Sequence, residues 1–281
     1  MREVSIVSEG RGRPEESGAR ALGEAHDSWT KGVTMERCYL KLDEQLDQLI
    51  GVEWSAPVSR RDAMHERLTK GWVYHELAVE GFGMEVQALD RALAGEAGAT
   101  HLERTAFERA RRFRAAYQRM REVGASAEPL NRGQALAYLG WLTGRVEAGS
   151  MRKDAGATEQ FKHDVVAPEQ IDKALGMMFA EADLMSRRHH PIDLAVQVHH
   201  RFVKIWPFEK HSAAVARLLA NQVLLANGYP AVIIPSYERQ RYYHSLNYEV
   251  SRSRELFVEG LAEQAQIRFR ELSPRRESVA A

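Results

Sequence analysis

The sequence holds a single cysteine, Cys38. One thiol permits no intrachain disulfide and no cysteine-based zinc site. Neither sign of charge is in excess, with 39 Lys and Arg against 39 Asp and Glu. The total therefore carries no electrostatic footprint for nucleic acid or an anionic membrane. No apolar run approaches the roughly 18 residues that span a bilayer. The opening MREVSIVSEGRGRPEESG lacks the apolar core of a secretory signal. These absences lead to the expectation of a cytoplasmic protein with no nucleic-acid and no membrane partner. HExxH is absent as well. The adjacent pairs His189-His190 and His199-His200 point about 100° apart on a helix, so neither pair can chelate one ion. No metal site is expected.

What the sequence does have is helical periodicity. Ala106, Ala110, Phe113, Tyr117 and Met120 form one apolar stripe, and Ile171, Leu175, Met178, Ala182 and Met185 repeat its spacing. Leu139, Leu142 and Val146 mark a shorter helix, and Leu194, Val198 and Phe202 another. The clearest strand signal is AVIIP, Ala231 to Pro235, after the Gly-Tyr-Pro turn at Gly228 to Pro230. Residues 1–32 are rich in Gly, Glu, Arg and Ser and predict a flexible leader. Glu147 to Glu169 has no helical period and reads as a long functional or mobile loop. Residues 273–281 read as a frayed tail. Seven arginines between Arg104 and Arg121 share their helix with Glu103, Glu108 and Glu122, which predicts a solvated face.

IWPFEKHSAAVARLLAN, Ile205 to Asn221, places four ionisable residues, Glu209, Lys210, His211 and Arg217, where a loop meets a helix. One reading is a capped helix start, with Ser212 as N-cap, Lys210 and His211 solvated, and Trp206 a core anchor. Arg217 argues for more, because a charge on a helix of Ala, Leu and Val needs a partner.

The order of features resembles the Fic (Fido) family, whose active members transfer AMP or a related phosphate-containing group to protein hydroxyls. The resemblance runs from about Leu42 to Leu272. It is strongest over DLAVQVHHRFVKIWPFEKHSAAVARLLANQVLLANGYPAVII and YYHSL at Tyr242 to Leu246. His199, Ile205, Pro207, Phe208 and Arg217 match the family pattern. Upstream, WVYHELAVEGFGMEVQALDRAL resembles the family's autoinhibitory helix, with Glu80 and Gly81 matching and Glu76 at the Ser/Thr position. The resemblance implies a mainly α, Fic-like helical bundle with a small flap or hairpin region, read as a single domain. Residues 33–101 would supply N-terminal helices, with the inhibitory-type helix near 72–81, and 102–272 the Fic-like core. The flap would lie around Met151-Arg152.

The departures from the pattern are chemical. Trp206 stands at the motif histidine, and an indole N–H only donates, so it is no general base. Lys210 stands at the acidic position that holds magnesium. His211-Ser212-Ala213-Ala214 replaces the Gly-Asn-Gly-Arg loop that cradles phosphates, and Ala214 removes its arginine. AMP transfer is not expected. Three readings stay open. In the first, the pocket is repurposed for a small or phosphorylated ligand. His211 then serves as acid or base with Glu209 or Glu80 orienting it, and Lys210, Ser212, Arg217, Glu76, Glu80 and Trp206 contact the ligand. In the second, a catalytically dead pseudoenzyme acts as regulatory or scaffold partner of another protein. In the third, a residual nucleotidyl or phosphoryl transferase persists. The sequence names no cofactor and no oligomeric state. A salt bridge between Glu80 and Arg217 is expected in any of these.

Overall fold

The computed structural model describes residues 16–145, 151–154 and 165–273. The chain falls into two compact units, Met1–Asp43 and Glu44–Ala281. The sequence suggested one domain, and no change of composition marks this division. It falls inside α1, Glu16–Ser55. Helical backbone therefore begins at Glu16, within the stretch expected as a leader. Residues 19–38 are well supplied with Ala, Arg, Leu, Glu and Lys, whose helix propensity does not need an apolar stripe.

The second unit continues with α2 (Val58–Val79), α3 (Val86–Leu93), α4 (His101–Ala125), α5 (Arg132–Thr143), α6 (Ile171–Ser186), α7 (Pro191–Ile205), α8 (Ser212–Ala226), α9 (Arg239–Leu246) and α10 (Val250–Leu272). The α4 stripe is buried at Ala110, Phe113, Tyr117 and Met120. That of α6 is buried at Ile171, Leu175, Met178 and Ala182, and Leu194, Val198 and Phe202 are buried on α7. Leu139 and Leu142 are buried on α5, whereas Val146 lies outside the described residues. Thr100 caps α4 by accepting from the Glu103 N–H, and Asn131 and Gln134 form a reciprocal capping box on α5. No helix among the described residues is long and apolar enough to cross a membrane.

Helix α8 is the centre of this unit. Every residue from Ser212 to Leu224 is buried, as a helix that is apolar all round must be. It packs most extensively on α7 and α4, with α5 also against it. Gly124 lets α4 approach, since a Cβ there would lie 2.7 Å from that of Leu225. Beyond Ser212 at its start, three polar side chains enter the core from α8, and each is satisfied. Gln222 accepts from the Tyr138 hydroxyl at 2.7 Å and donates to the Glu128 carbonyl at 3.3 Å. Asn221 accepts from the Val232 N–H at 2.8 Å and donates to the Val232 carbonyl at 3.0 Å. The third is Arg217.

The Asn221 pair corrects the strand reading of AVIIP. No strand forms among the described residues, and Ala231 to Ile234 run as buried irregular chain. The Asn221 amide supplies Val232 with the donor and acceptor that a neighbouring strand would have offered. Of the expected flap, 147–150 and 155–164 lie outside the described residues, and Met151 to Asp154 has no regular structure.

Candidate functional site

Helix α7 ends at Trp206, which is left-handed at φ 48° and whose N–H donates to the Phe202 carbonyl at 2.9 Å. Five residues on, His211 is also left-handed, at φ 64°, and stands as the N-cap of α8. Each such non-glycine residue costs on the order of 1–2 kcal/mol. The loop between them is closed by Ser212, whose Oγ accepts from the Phe208 N–H and donates to the Phe208 carbonyl, both at 2.9 Å. Ser212 is thus not the N-cap that its residue type suggested. It is the first helical residue, and its hydroxyl is spent on the loop. Alanine at 213 and 214 is accommodated because the helix has already begun there. The left-handed turn falls on His211.

From α8, Arg217 reaches α2. Its Nε donates to Glu76 Oε1 at 2.8 Å, and one terminal nitrogen donates to Glu76 Oε2 at 2.7 Å and to Glu80 Oε1 at 2.8 Å. The other terminal nitrogen donates to the Tyr242 hydroxyl at 2.8 Å. The expected pair with Glu80 is therefore present, with Glu76 as a second, closer partner. The side chains of Arg217 and Glu76 are 2% and 1% exposed. The Tyr242 hydroxyl accepts from Arg217 and also pairs with His199 Nε2, 2.9 Å away. His199 Nδ1 is buried with no hydrogen-bond partner among the described residues.

Desolvation pushes the Glu76 carboxyl above its ordinary value, against the attraction of Arg217 and with the repulsion of Glu80 added. At Glu80 desolvation also pushes upward. The His211 hydrogen bond and the Arg217 charge outweigh it and hold the carboxyl low. Burial works against the charge on Arg217, but Glu76, Tyr242 and Glu80 raise its pKa well above normal. Burial, then Arg217 and His200, keeps His199 well below the usual histidine range.

His211 Nδ1 lies 3.2 Å from Glu80 Oε2. A carboxylate only accepts, so Nδ1 donates and Nε2 is left as the acceptor in the neutral ring. Phe113 meets the imidazole edge-on at 5.8 Å and Phe82 lies at 6.2 Å. The Arg109 guanidinium sits 3.8 Å from the centre of the Phe82 ring.

The structure thus joins Glu76, Glu80, His211 and Arg217, and leaves two expected members out. Glu209 and Lys210 are exposed, and neither makes a hydrogen bond or ion pair among the described residues. Both lie on the outer turn of the loop, facing water, so Glu80 and not Glu209 orients His211. Trp206 is a buried helix terminator. Tyr242 was not among the expected site residues, although YYHSL marked its segment, and neither was Arg152. That guanidinium is buried and donates to main-chain carbonyls of Trp206 at 2.7 Å, Asp154 at 2.7 Å, Ile205 and Val166. The Arg152 N–H also donates to the Pro207 carbonyl at 2.9 Å. Arg152 therefore cross-links its segment to the motif loop.

The donors present do not fit a divalent cation. Lys210, where the resemblance leads to the expectation of a metal-binding carboxylate, is exposed. No group of three or more His, Cys, Asp or Glu is placed to hold a metal among the described residues. Nor do they fit a phosphate chain. Two carboxylates already face the one guanidinium, and every Arg217 nitrogen is engaged.

The architecture and the α7–loop–α8 motif define an all-helical Fic-type domain. Residues 129–224 match the Fic/DOC family, and the chain carries a Fic domain of that family. It is similar to the protein adenylyltransferase Fic of Drosophila grimshawi, 30% identical over 222 residues, covering 75% of this chain and 44% of that protein. Against the protein adenylyltransferase Fic of Drosophila melanogaster it is 35% identical over 104 residues, 36% of this chain and 20% of that one. The chain thus spans less than half the length of these relatives. Among solved structures, Fic-1 from C. elegans superposes with a TM-score of 0.75 at 20% identity, covering 92% of this chain and 78% of that one. A Fic domain containing signaling protein from Bacteroides thetaiotaomicron gives 0.68 at 18% identity, covering 84% and 95%.

Proposed function

We propose that this Fic-domain protein does not transfer AMP and serves as a protein-interaction module, with its former catalytic motif turned into a structural element. One observation carries the reading. Arg217, the arginine left in the motif, is 2% exposed with its donors spent on Glu76, Glu80 and Tyr242. To receive a phosphate it would have to leave two carboxylates buried without their cation, at a cost of several kcal/mol. The indole of Trp206 at the base position and the exposed Lys210 at the metal position support the same reading.

The test is transfer from labelled ATP, with magnesium or manganese, to the protein itself and to cell lysate. No transfer is expected from the wild type. None is expected from Trp206→His either, because the glycines and arginine of the phosphate loop are still missing. Incorporation that disappears in Arg217→Ala would sink the proposal.

A second reading rests on the rim. His211 and Glu80 remain 12% and 10% exposed, and Arg109 makes no ion pair or hydrogen bond among the described residues. A small anion held by Arg109 would lie on the Phe82 side of the His211 imidazole. Thermal stabilisation by small phosphorylated or carboxylate compounds, lost in Arg109→Ala, would favour this reading over the first.

A further inference from the structure

A groove of about 510 Å³ runs between α4 and α5. Arg111, Arg112 and Ala115 line it from α4, and Ala137, Gly140 and Trp141 from α5. Its floor is made by small side chains, and Trp141 stands beside them 47% exposed. The core face of α5 is supplied by Tyr138, Leu139 and Leu142, so folding does not require an indole at position 141.

The charges around the groove are unbalanced. Arg111 donates only to the main-chain carbonyls of Ala92 and Glu96, at 3.1 and 3.2 Å. No carboxylate neutralises it among the described residues. Arg112 has one, Glu108, at 3.3 Å and in the open, where such a pair holds weakly. Its guanidinium lies over Gly144, the left-handed C-cap of α5 at φ 71°. A Cβ on that glycine would come 2.5 Å from the Arg112 Nε. The missing side chain thus fixes Arg112 at the end of the groove. By contrast, Arg91, Arg114 and Arg241 on other surfaces each have a carboxylate within 3.0 Å. The solvated face expected for the α4 arginines is therefore not uniform.

We propose that the α4–α5 groove is the docking site for an acidic segment of a partner protein. One apolar side chain seats on Trp141 and the small-residue floor, and flanking carboxylates meet Arg111 and Arg112. Arginine and tryptophan are the side chains that most often carry binding energy at such sites. A polyanion such as RNA is disfavoured by the apolar floor, by Glu108 at the rim and by the zero net charge of the chain. The proposal rests on the interaction-module reading above and supplies that module with a surface and a class of partner.

The test is a display library of short peptides selected on the full chain and counter-selected on Trp141→Ala and Arg112→Glu. Unchanged melting of both variants shows that the fold is intact. Enriched peptides should carry Asp or Glu around one aromatic or aliphatic residue. Their affinity should fall about tenfold or more in each variant and should weaken with added salt. Failure to enrich, enrichment without acidic bias, equal affinity for both variants, or equal binding of a single-stranded oligonucleotide would each overturn the groove. Such failures would leave the inactive-motif reading intact, whereas AMP incorporation would remove that reading whatever the peptides do.

Discussion

Arg217 on α8 and Glu76 on α2, 141 residues apart in sequence, form a two-pronged pair across the core, with contacts of 2.8 and 2.7 Å. The fork of the guanidinium matches both carboxylate oxygens, which fixes α2 against α8. Glu80, one turn further on at the C-cap of α2, adds a second carboxylate to the same cation.

That second carboxylate makes the substitutions at the pair unequal. Arg217→Met strands two buried carboxylates and should destabilise by about 3–5 kcal/mol. Glu76→Gln keeps an acceptor for Arg217 and leaves Glu80 as its single counter-charge, so its cost should stay near 1 kcal/mol. Urea unfolding of the two variants measures both. Equal losses would show that Glu76 is needed for its charge and not only for its shape.

The two glutamates should also respond to pH with opposite sign. Glu80 has its pKa depressed on folding. Its stabilisation is present above the unfolded carboxylate value of about 4.3 and is lost as pH falls through the folded value. Glu76 has its pKa raised. Its contribution is complete below the unfolded value and declines as pH rises through the folded one. The stability gap between wild type and Glu80→Gln should therefore narrow on acidification below about pH 4.3. For Glu76→Gln the difference should move the other way. A gap for Glu80→Gln that widens in acid would contradict the assignment.

At His211 the backbone and the side chain make opposing demands. The left-handed turn favours glycine, while the hydrogen bond to Glu80 favours histidine. His211→Ala forfeits the bond and keeps the strain, whereas His211→Gly forfeits the bond and relieves the strain. The glycine variant should be the more stable of the two by about 1 kcal/mol. Thermal or chemical denaturation decides it, and the reverse order would mean the turn is not left-handed in solution.

Arg152→Ala should loosen the motif loop without touching the Arg217 cluster. Four carbonyl oxygens lose a charged donor, and a loss of about 2–3 kcal/mol is expected. Amide exchange should rise at Trp206 and Phe208, while the amides in the middle of α8 stay protected up to global unfolding. Uniform exchange along both segments would show that Arg152 supports the whole core and not this loop.

Much of the helical frame was legible because its signal is local. The stripes of α4, α6 and α7 recur at the helical period, and those residues did go inside except Ala106 and Met185 at the stripe ends, which are half-buried. That Arg217 needs a counter-charge could be anticipated from its place on an apolar helix, and the resemblance to the Fic family pointed to Glu80 as that partner. What the sequence could not decide depended on contacts between distant segments. AVIIP has the composition of a strand, but its hydrogen-bond partner is a side chain on α8. Glu209 and Lys210 are as ionisable as His211, yet a left-handed turn aims His211 at Glu80 and leaves the other two in water. Tyr242 joins the cluster only because the fold brings α9 within reach of α7 and α8, where its hydroxyl links Arg217 to His199. Local periodicity sets which residues must leave water. Which buried charge meets which partner, and whether any donor is left for a ligand, is settled only when the helices close on one another.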